Sequence, residues 1–480
     1  MTDSNKAKVD NEKLIGSDAI DFVPADVGEM DLYKRREKIY TRTMQGFFQR
    51  LRQYTGWPLL IGYFAVPWLM WGDHQAMLFD LPQRQFHIFF LTFMPQQFPY
   101  LAGLLIMGAY ALFTVTNFAG RVWCGYTCPQ TVWTAMFMWI EQYTEGSRIQ
   151  RMKLDKQPWS VAKLFKKASK HIMWLGVAFM TGFTFVSYFS PARSLLPDVV
   201  TGQAPLMAYA WIVFFTITTY LNAGWMREQV CMYMCPYARF QSAMFDKDTL
   251  IISYDEKRGE SRGARKRHQA KPDNLGDCID CELCVQVCPT GIDIRNGLQY
   301  ECIGCALCID ACDSVMDKMG YDRGLVRYTT ENILAGGESR IFRPRLLAYG
   351  GILVLVFCAW SWSLLHRESI ELDVIRDRNH LYTQTEEGFI ENVYTLNFVN
   401  FETSSITVNI AVEGLPNYQL SGPKTVTLQA SEVLSVPVRL LASPEGLSPI
   451  SDIKFALSNS DGINILEDSR FITPVKRPAQ

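Results

Sequence analysis

The chain has 480 residues, of which 48% are hydrophobic and 20% charged, and its formal net charge is −1. So balanced a charge gives no support for a nucleic-acid partner, and the polar start of the chain argues against a cleavable signal peptide. We therefore predict that residues 1–50 form a basic cytoplasmic segment, disordered over residues 1–30.

Five apolar stretches with few or no charges follow this segment. Because an α-helix needs about 20 apolar residues to cross a bilayer, we predict five transmembrane helices, at Trp57–Trp71, Phe98–Ala119, His171–Ser190, Ala204–Met226 and Leu346–Leu365. The first four belong to a predicted membrane domain over residues 51–245, and the fifth occupies residues 346–366. A further apolar run, Phe86–Pro95, ends at proline, and we interpret it as an interfacial or re-entrant lead-in to the second helix.

Lysine and arginine are unevenly distributed among the loops between these stretches. Residues 34–52, residues 120–170 and the segment after the fourth span are rich in them, whereas loops 73–97 and 191–203 hold one each. Basic loops stay on the cytoplasmic side of a membrane. We therefore place the N-terminus and residues 246–345 in the cytoplasm, and residues 367–480 on the opposite side of the membrane. Of the 13 cysteines, 12 then lie on the reducing side.

A Cys-x3-Cys-Pro motif occurs twice in the membrane domain. Cys124 and Cys128 follow the second span, and Cys231 and Cys235 follow the fourth, 107 residues later. We interpret the two copies as a duplicated module inserted in one orientation. Positions i and i+4 share a helix face, so each pair would present two thiols together, and four would converge if the repeats pack about a pseudo-two-fold axis. Soft thiolates favour Cu(I), zinc or an iron–sulfur cluster; the alternative is that these cysteines are small packing residues.

Several other residues admit both a functional and a structural interpretation. Thioether ligands or helix packing would explain Met232, Met234 and Met244, and metal entry or an interfacial position would explain His74 and His87. Cys358 in the fifth span is predicted to be a packing residue. The basic run Lys257–Lys271 is predicted either to adhere to anionic lipid or to be a solvated tether.

Eight cysteines between residues 278 and 312 form two C-x2-C-x2-C-x3-C blocks. This is the spacing of two-cluster ferredoxins, in which the last cysteine of each block binds the other block's cluster. Zinc ribbons space two cysteine pairs differently and lack the third cysteine in each half. We predict an α+β ferredoxin-like domain over residues 246–345 with two [4Fe–4S] clusters, one held by Cys278, Cys281, Cys284 and Cys312 and the other by Cys302, Cys305, Cys308 and Cys288.

The C-terminal region has short segments rich in β-branched and aromatic residues. They are separated by turn sequences and run at Val393–Phe401, Ser405–Val412, Lys424–Leu428, Val433–Leu440 and Ile453–Leu457. Short strands at regular spacing indicate an all-β sandwich. A binding or docking role, or a merely stabilising one, is expected for it. The fold class is thus a multi-domain membrane protein with α-helical, α+β and all-β parts.

Taken together, the paired Cys-x3-Cys-Pro motifs, the two-cluster block and the cysteine-free tail resemble the FixG/RdxA/CcoG cytochrome c oxidase accessory proteins. The likeness covers nearly the whole chain from about Tyr33, and includes the runs Ala311–Gly320, Leu372–Asn379 and Ile390–Leu396. The resemblance implies an electron carrier that supports assembly of the cbb3-type oxidase, with reduction of Cu(II) to Cu(I) as its activity. Cys124, Cys128, Cys231 and Cys235 would then be the catalytic, copper-binding thiols.

The resemblance further implies a bacterial inner membrane and a periplasmic C-terminal domain with an immunoglobulin-like sandwich fold. Membrane lipid is an expected partner because of the predicted spans and the basic run. Haem–copper oxidase subunits or copper chaperones, and a cytoplasmic electron donor, are the other expected partners. A homodimer is a further option. The main alternative function is a membrane quinol dehydrogenase-type polyferredoxin that passes electrons to a periplasmic reductase and needs no copper. A non-catalytic scaffold that senses redox state is a third.

Overall fold

A computed structural model describes residues 38–474, apart from residues 73, 268–271, 378–379, 403, 431, 444–446 and 460–463. The predicted tail over residues 1–30 and the end of the basic run Lys257–Lys271 lie outside the described residues. Contacts divide the chain into two compact units. One comprises the described residues up to Leu81 together with Tyr100–Ala359, and the other comprises Pro82–Pro99 and the described residues from Trp360 onward.

Helices make up most of the chain up to Met244. They are α1 (Phe47–Ala65), α2 (Phe98–Ala119), α3 (Val122–Tyr126), α4 (Pro129–Glu145), α5 (Arg148–Lys156), α6 (Val161–Val186), α7 (Ala192–Thr201), α8 (Leu206–Thr219) and α9 (Pro236–Met244). Short strands join α1 to α2, namely β1 (Met70–Trp71), β2 (His74–Gln75), β3 (Met77–Asp80), β4 (Gln85–Ile88) and β5 (Leu91–Phe93). The run Phe86–Pro95 is therefore mainly an antiparallel hairpin of β4 and β5, and its interfacial or re-entrant position stays a prediction.

Three helical stretches among the described residues are long and apolar enough to cross a membrane: Pro95–Ala119, Leu206–Met226 and Pro344–Leu365. They coincide with the second, fourth and fifth predicted spans. The first predicted span differs, because α1 ends at Ala65 and a 3₁₀ turn containing Pro67 follows it. The third lies in α6 as far as Val186, where that helix ends, and the first turns of α6 carry four lysines. A count of five stays a prediction.

The cluster-binding region follows α9. Its elements are β6 (Ile251–Tyr254), α10 (Glu256–Gly259), α11 (Leu283–Val287), α12 (Leu307–Met319), β7 (Val326–Thr329) and α13 (Glu331–Ala335), and α14 (Pro344–Leu365) comes next. Strands β6 and β7 pair antiparallel, with Ile251 opposite Thr329. Ile252, Ile309 and Met316 belong to one buried core with Cys278. The predicted boundary at residue 246 does not separate compact units, since this region and the preceding helices form one.

The C-terminal region is a two-sheet sandwich. Its strands are β8 (Ile370–Arg376), β9 (Thr383–Gln384), β10 (Ile390–Asn400), β11 (Ile406–Glu413), β12 (Gln419–Ser421), β13 (Thr425–Leu428), β14 (Val433–Ala442), β15 (Ile450–Ser458) and β16 (Asn464–Ile472). One sheet has the order β12-β14-β10-β8, with β9 also on β10, and the other β13-β11-β15-β16. Along β11 the side chains alternate strictly between buried and exposed, as a strand with one face on a core requires. The predicted sandwich is confirmed.

Candidate redox site

Two loops of the same shape carry the first three cysteines of each ferredoxin-type block. In both, the residues two and four places after the first cysteine have a positive φ: Asp280 (51°) and Glu282 (54°), then Gly304 (67°) and Ala306 (60°). Left-handed backbone costs about 1–3 kcal/mol at a non-glycine residue, so its repetition at matching positions indicates one shared loop design. A helix follows each loop: α11 contains Cys284, and α12 contains Cys308 and Cys312.

The last cysteine of each block lies beside the other block's loop. Cys312 lines one cavity with Cys278, Cys281 and Cys284. A second cavity is lined by Cys288, Cys302, Cys305 and Cys308, and Cys284 reaches its edge. These are the groupings that the spacing predicts, and two sets of four soft thiols fit two [4Fe–4S] clusters. The assignment of individual iron ligands stays a prediction.

Burial governs the protonation of these thiols. It raises the pKa of Cys284, Cys302 and Cys312, each to about 12. Metal binding must therefore displace protons from sulfur. In the described part of the chain, no group of three or more His, Cys, Asp or Glu side chains is placed to hold a single metal ion.

The first Cys-x3-Cys-Pro motif is a tight turn between helices. Gly120 ends α2 with a φ of +58°, Cys124 lies in α3, and Cys128 precedes α4 with extended backbone. The second motif repeats this order with wider turns: α8 continues into a π-helical turn at Tyr220–Met226, and another at Val230–Met234 carries Cys231.

A residue with a positive φ precedes each motif at the matching position. Arg227, with a φ of +45°, stands 107 residues after Gly120, whose φ is +58°. Cys235, like Cys128, has extended backbone (ψ 111° and 128°) before proline. The expectation that each cysteine pair shares one face of a regular helix was wrong, because a residue before proline is driven out of the α region. Proline then begins the next helix at its first position.

The four thiols nevertheless lie in one region. Burial raises the pKa of Cys124 to about 12, and charge on Cys128 and Cys231 adds to the effect. Burial also raises the pKa of Cys231 to about 12, with contributions from Cys128 and Cys235. Each motif thus acts electrostatically on the other, although in the described part of the chain the four thiols do not close around a single ion.

The first motif packs directly on the second cluster loop. Cys124 packs against a group of buried apolar side chains that includes Cys305. A Cβ on Gly125 would lie 2.7 Å from the carbonyl oxygen of Gly304. Arg121 strengthens this junction, since its Nη1 donates to the carbonyl oxygens of Tyr300 at 2.6 Å and Cys302 at 3.4 Å. The thiols of the first motif therefore adjoin the loop of Cys302, Cys305 and Cys308.

Gln241 is a site residue that the sequence did not reveal. It lies in α9, beyond the second motif, yet the thiol of Cys124 in the first motif donates to its Oε1 at 3.5 Å. Gln241 is fully buried, and among the described residues its Nε2 has no hydrogen-bond partner. Only its position six residues after Cys235 could have drawn attention to it.

Glu141 supports the strained turn before the second motif. Its Oε2 accepts hydrogen bonds from Arg227 at 2.9 Å and Arg151 at 3.2 Å. Burial alone would raise the pKa of Glu141, but Arg227, Lys38 and the neighbouring cations together lower it to about 2. A glutamate directly after the apolar run 135–140 was the available sequence signal.

The remaining candidates have local roles or stay open. The Nδ1 atom of His74 is 3.0 Å from the carbonyl oxygen of Gln75, and that of His87 is 3.0 Å from Thr92 Oγ1. Met234 is 56% exposed, and Met232 is partly exposed beside it. Cys358 is exposed on α14, so the expectation that it packs against another part of the chain was wrong for the described residues.

Known protein families match the segments that carry the two Cys-x3-Cys-Pro motifs, the ferredoxin-type cysteines and the C-terminal sandwich. Residues 226–331 match the family model of a 4Fe-4S dicluster domain, residues 101–142 that of a 4Fe-4S binding domain, and residues 360–474 that of the IG-like fold at the C-terminus of FixG. The chain therefore carries 4Fe–4S-binding domains and an Ig-like domain.

Three relatives match most of the chain. Nitrogen fixation protein FixG of Rhizobium meliloti (strain 1021) is 41% identical, over 80% of this chain and 81% of its own. RdxB and RdxA of Cereibacter sphaeroides are 40% and 37% identical, over 87% and 90% of this chain and 91% and 95% of theirs. A crystal structure of a FixG-related protein from Vibrio parahaemolyticus is 34% identical, covers 23% of this chain and all of its own, and gives a TM-score of 0.21.

Proposed function

This chain belongs to the FixG/RdxA family of iron–sulfur proteins, and from that premise we propose that it reduces Cu(II) to Cu(I) during assembly of a cbb3-type cytochrome c oxidase. The observation that carries the proposal is the junction between Cys124 and the loop of Cys305. It joins a set of four soft thiols to the cluster-binding region within one compact unit.

Two sets of four cysteines would hold the clusters. They are Cys278, Cys281, Cys284 and Cys312, and Cys302, Cys305, Cys308 and Cys288. When bound, such clusters take up and release single electrons. The chain buries Cys278 and Cys305, leaves Cys281 exposed, and keeps the first motif in contact with Gly304.

Cys124, Cys128, Cys231 and Cys235 would bind the copper substrate. Its reduction consumes one electron per ion, Cu(II) becoming Cu(I), and the proposed source is a cytoplasmic one-electron donor. Sulfur ligands favour Cu(I) over Cu(II), so binding here makes the reduction more favourable.

The proposed location is the inner membrane, with five transmembrane helices. The basic loops support a cytoplasmic N-terminus and cluster region, and a periplasmic Ig-like domain. In the periplasm this domain would bind oxidase subunits or copper chaperones. The proposal also includes a homodimer of the chain as an alternative to a monomer.

The test is Cu(II) reduction by purified protein. With reduced clusters, the wild type should convert Cu(II) to Cu(I), detected by a Cu(I)-specific chelating dye. The double variant Cys231→Ala, Cys235→Ala should lose this activity and keep its iron, whereas Cys358→Ala, which removes an exposed cysteine away from the site, should match the wild type. Equal rates in the double variant and the wild type would overturn the copper assignment.

A second candidate has its own support. The 4Fe-4S binding-domain model matches residues 101–142, which include Cys124 and Cys128, and this favours an additional iron–sulfur cluster on the four thiols. An iron content of about eight atoms per chain would support the copper site, and a content of about twelve would support the additional cluster.

The quinol dehydrogenase alternative has a separate test. Reduction of the clusters by a quinol analogue, without any response to copper, would favour it.

A further inference from the structure

A large cavity lies between the start of α1, α4 and the cluster-binding loops. Its volume is about 1050 Å³, at the upper end of the range of about 300–1,000 Å³ for small-molecule sites. Pro289 and Leu307, which adjoin Cys288 and Cys308, form part of one wall, and Gly125 and Tyr126 of the first motif form another. We call it the arginine pocket, after its lining residues Arg42, Arg50, Arg52 and Arg151.

The charged side chains in the described lining of the pocket are all positive. Four arginines line the pocket, and among the described residues no Asp, Glu, His or Lys does. Arg151 is paired with Glu141 behind the wall. The other three form no ion pair within the described part of the chain; the Nε atoms of Arg50 and Arg52 donate to the carbonyl oxygens of Gly46 and Gly125. Three guanidinium groups that lack an ion pair among the described residues, in one cavity, favour an anionic ligand, phosphate above all.

The lining changes from polar to apolar along α1. Glutamines occupy the part near the arginines, at Gln45, Gln49 and Gln53, and apolar side chains line the rest, at Trp57, Leu60, Val132 and Met136. Trp57 and Trp139 are 47% and 55% exposed, as expected for indoles at a membrane–water interface. The pocket therefore offers a cationic site for a head group and an apolar channel for a chain.

We propose that the arginine pocket binds an anionic phospholipid, with its phosphate at Arg42 and Arg50 and an acyl chain along Trp57 and Val132. Basic pockets between membrane helices recognise such head groups. The inference goes beyond the proposed function and shares with it only the membrane location.

A membrane quinol is a poorer fit for the same space. The quinol head is neutral, and its oxidation to quinone releases two protons with the two electrons. The described lining offers no carboxylate or imidazole to accept those protons. A phospholipid would instead pair its phosphate with the arginines of the lining. It would thereby link α1 and α4 to the wall beside Cys288.

The test measures contact between lipid and tryptophan in the full chain with its clusters. The protein in neutral detergent is titrated with phosphatidylglycerol or phosphatidylcholine brominated at the same chain positions, since bromine quenches indole emission on contact. The chain has 12 tryptophans, so the signal is the difference between the wild type and Trp57→Phe. Brominated phosphatidylglycerol should quench this signal saturably, and phosphatidylcholine should do so much more weakly.

Matched variants separate a specific site from general attraction. Arg42→Gln with Arg50→Gln should weaken phosphatidylglycerol binding about 30-fold. Arg340→Gln with Arg345→Gln removes the same charge at exposed positions outside the pocket, and should change binding less than about two-fold. Ala135→Phe narrows the apolar channel without altering charge, and should weaken binding even if the arginine variant fails to fold.

Each contrary result overturns the proposal. Equal quenching by the two lipids, or an equal loss in the control variant, would remove the head-group site. Competition by inorganic phosphate as effective as that by phosphatidylglycerol would assign the pocket to a free anion, and displacement by a neutral quinol analogue would assign it to quinol. Iron content and Cu(II) reduction are measured separately, so failure here is distinguishable from failure of the copper proposal.

Discussion

At Gly125, one missing methyl group permits the contact between the first motif and the second cluster loop. An added Cβ would lie 2.7 Å from the Gly304 oxygen and 2.9 Å from the Cys305 Cα. Both are backbone atoms, so no side-chain rotation can relieve the overlap. The two segments are far apart in sequence, and nothing but the small size of both glycines signals their contact.

We expect Gly125→Ala to destabilise the protein by about 1–3 kcal/mol through overpacking, and to slow Cu(II) reduction while iron is retained. Thermal unfolding and the copper assay measure the two effects. Gly62→Ala is the matched control, because a Cβ there meets no atom within 4 Å and helix propensity favours alanine. Equal stability and equal Cu(II) reduction in the two variants would show that the close contact between Gly125 and Gly304 is not needed for either.

Glu141 makes stability depend on pH. Its pKa is lowered from 4.5 to about 2, so its ionised form stabilises the folded protein above pH 4.5, and this contribution declines as the pH falls towards 2. We expect Glu141→Gln to be less stable by about 3 kcal/mol at pH 7, with a difference that narrows below pH 4.5. Unfolding between pH 7 and pH 4 measures this.

The control for that series is Glu338→Gln, which alters an exposed carboxylate and should leave stability within about 0.5 kcal/mol. A gap between Glu141→Gln and the wild type that persists unchanged at pH 4 would contradict the assigned ion pairs.

At the scale of elements, the N-terminus of α1 is capped from the cluster-binding region. Asp310, between Cys308 and Cys312 in α12, accepts hydrogen bonds from the backbone N–H groups of Phe48 at 3.2 Å and Gln49 at 2.8 Å. A carboxylate at a helix N-terminus satisfies free N–H groups and complements the helix dipole. Helix α1 is thus fixed to the helix that carries two of the predicted ligands.

We expect Asp310→Ala to cost about 0.5–2 kcal/mol, and to accelerate amide hydrogen exchange at Phe48 and Gln49. Asp317→Ala in the same helix is the control, since that carboxylate is paired with exposed Arg323 and should leave the exchange unchanged. Unaltered exchange in Asp310→Ala would show that α1 begins independently of the cluster-binding region.

Elements with a local signal were predictable, and those shaped by prolines less so. The alternation of Ile406, Val408, Ile410 and Val412 gave β11 directly, because a strand with one buried face imposes a period of two. The helical placement of the cysteine pairs failed although Cys128-Pro129 and Cys235-Pro236 were visible. Proline restricts the residue before it, and that local rule outweighed the spacing of four.

At the scale of the whole molecule, the arrangement across the membrane is a prediction from charge. Alkaline phosphatase is active only outside the cytoplasm, so a fusion after Thr473 should be active, whereas a fusion after Gln157 should be inactive. A fusion after Gln203 provides a positive control in a predicted external loop. Activity after Gln157 would reverse the orientation and place the cluster-binding region on the wrong side for a cytoplasmic donor.

The association of the cluster-binding region with the membrane helices was beyond sequence reasoning. Cysteine spacing identifies each site because it is read over a few residues. The contacts that join the sites, Arg121 with Tyr300 and Gly125 with Gly304, depend on long-range folding. The sequence therefore indicated two separate modules where the structure has one compact unit.

This junction has a practical consequence for biochemistry on fragments. A soluble piece cut at the boundaries of residues 246–345 would lose the partners of Gly304 and Cys305 and expose Ile303 and Leu307, which are 7% and 9% accessible in the intact chain. Such a surface promotes self-association, and solvent at the sulfurs shifts cluster potentials. Potentiometry on an excised ferredoxin segment would then report on a different electron carrier from the intact protein.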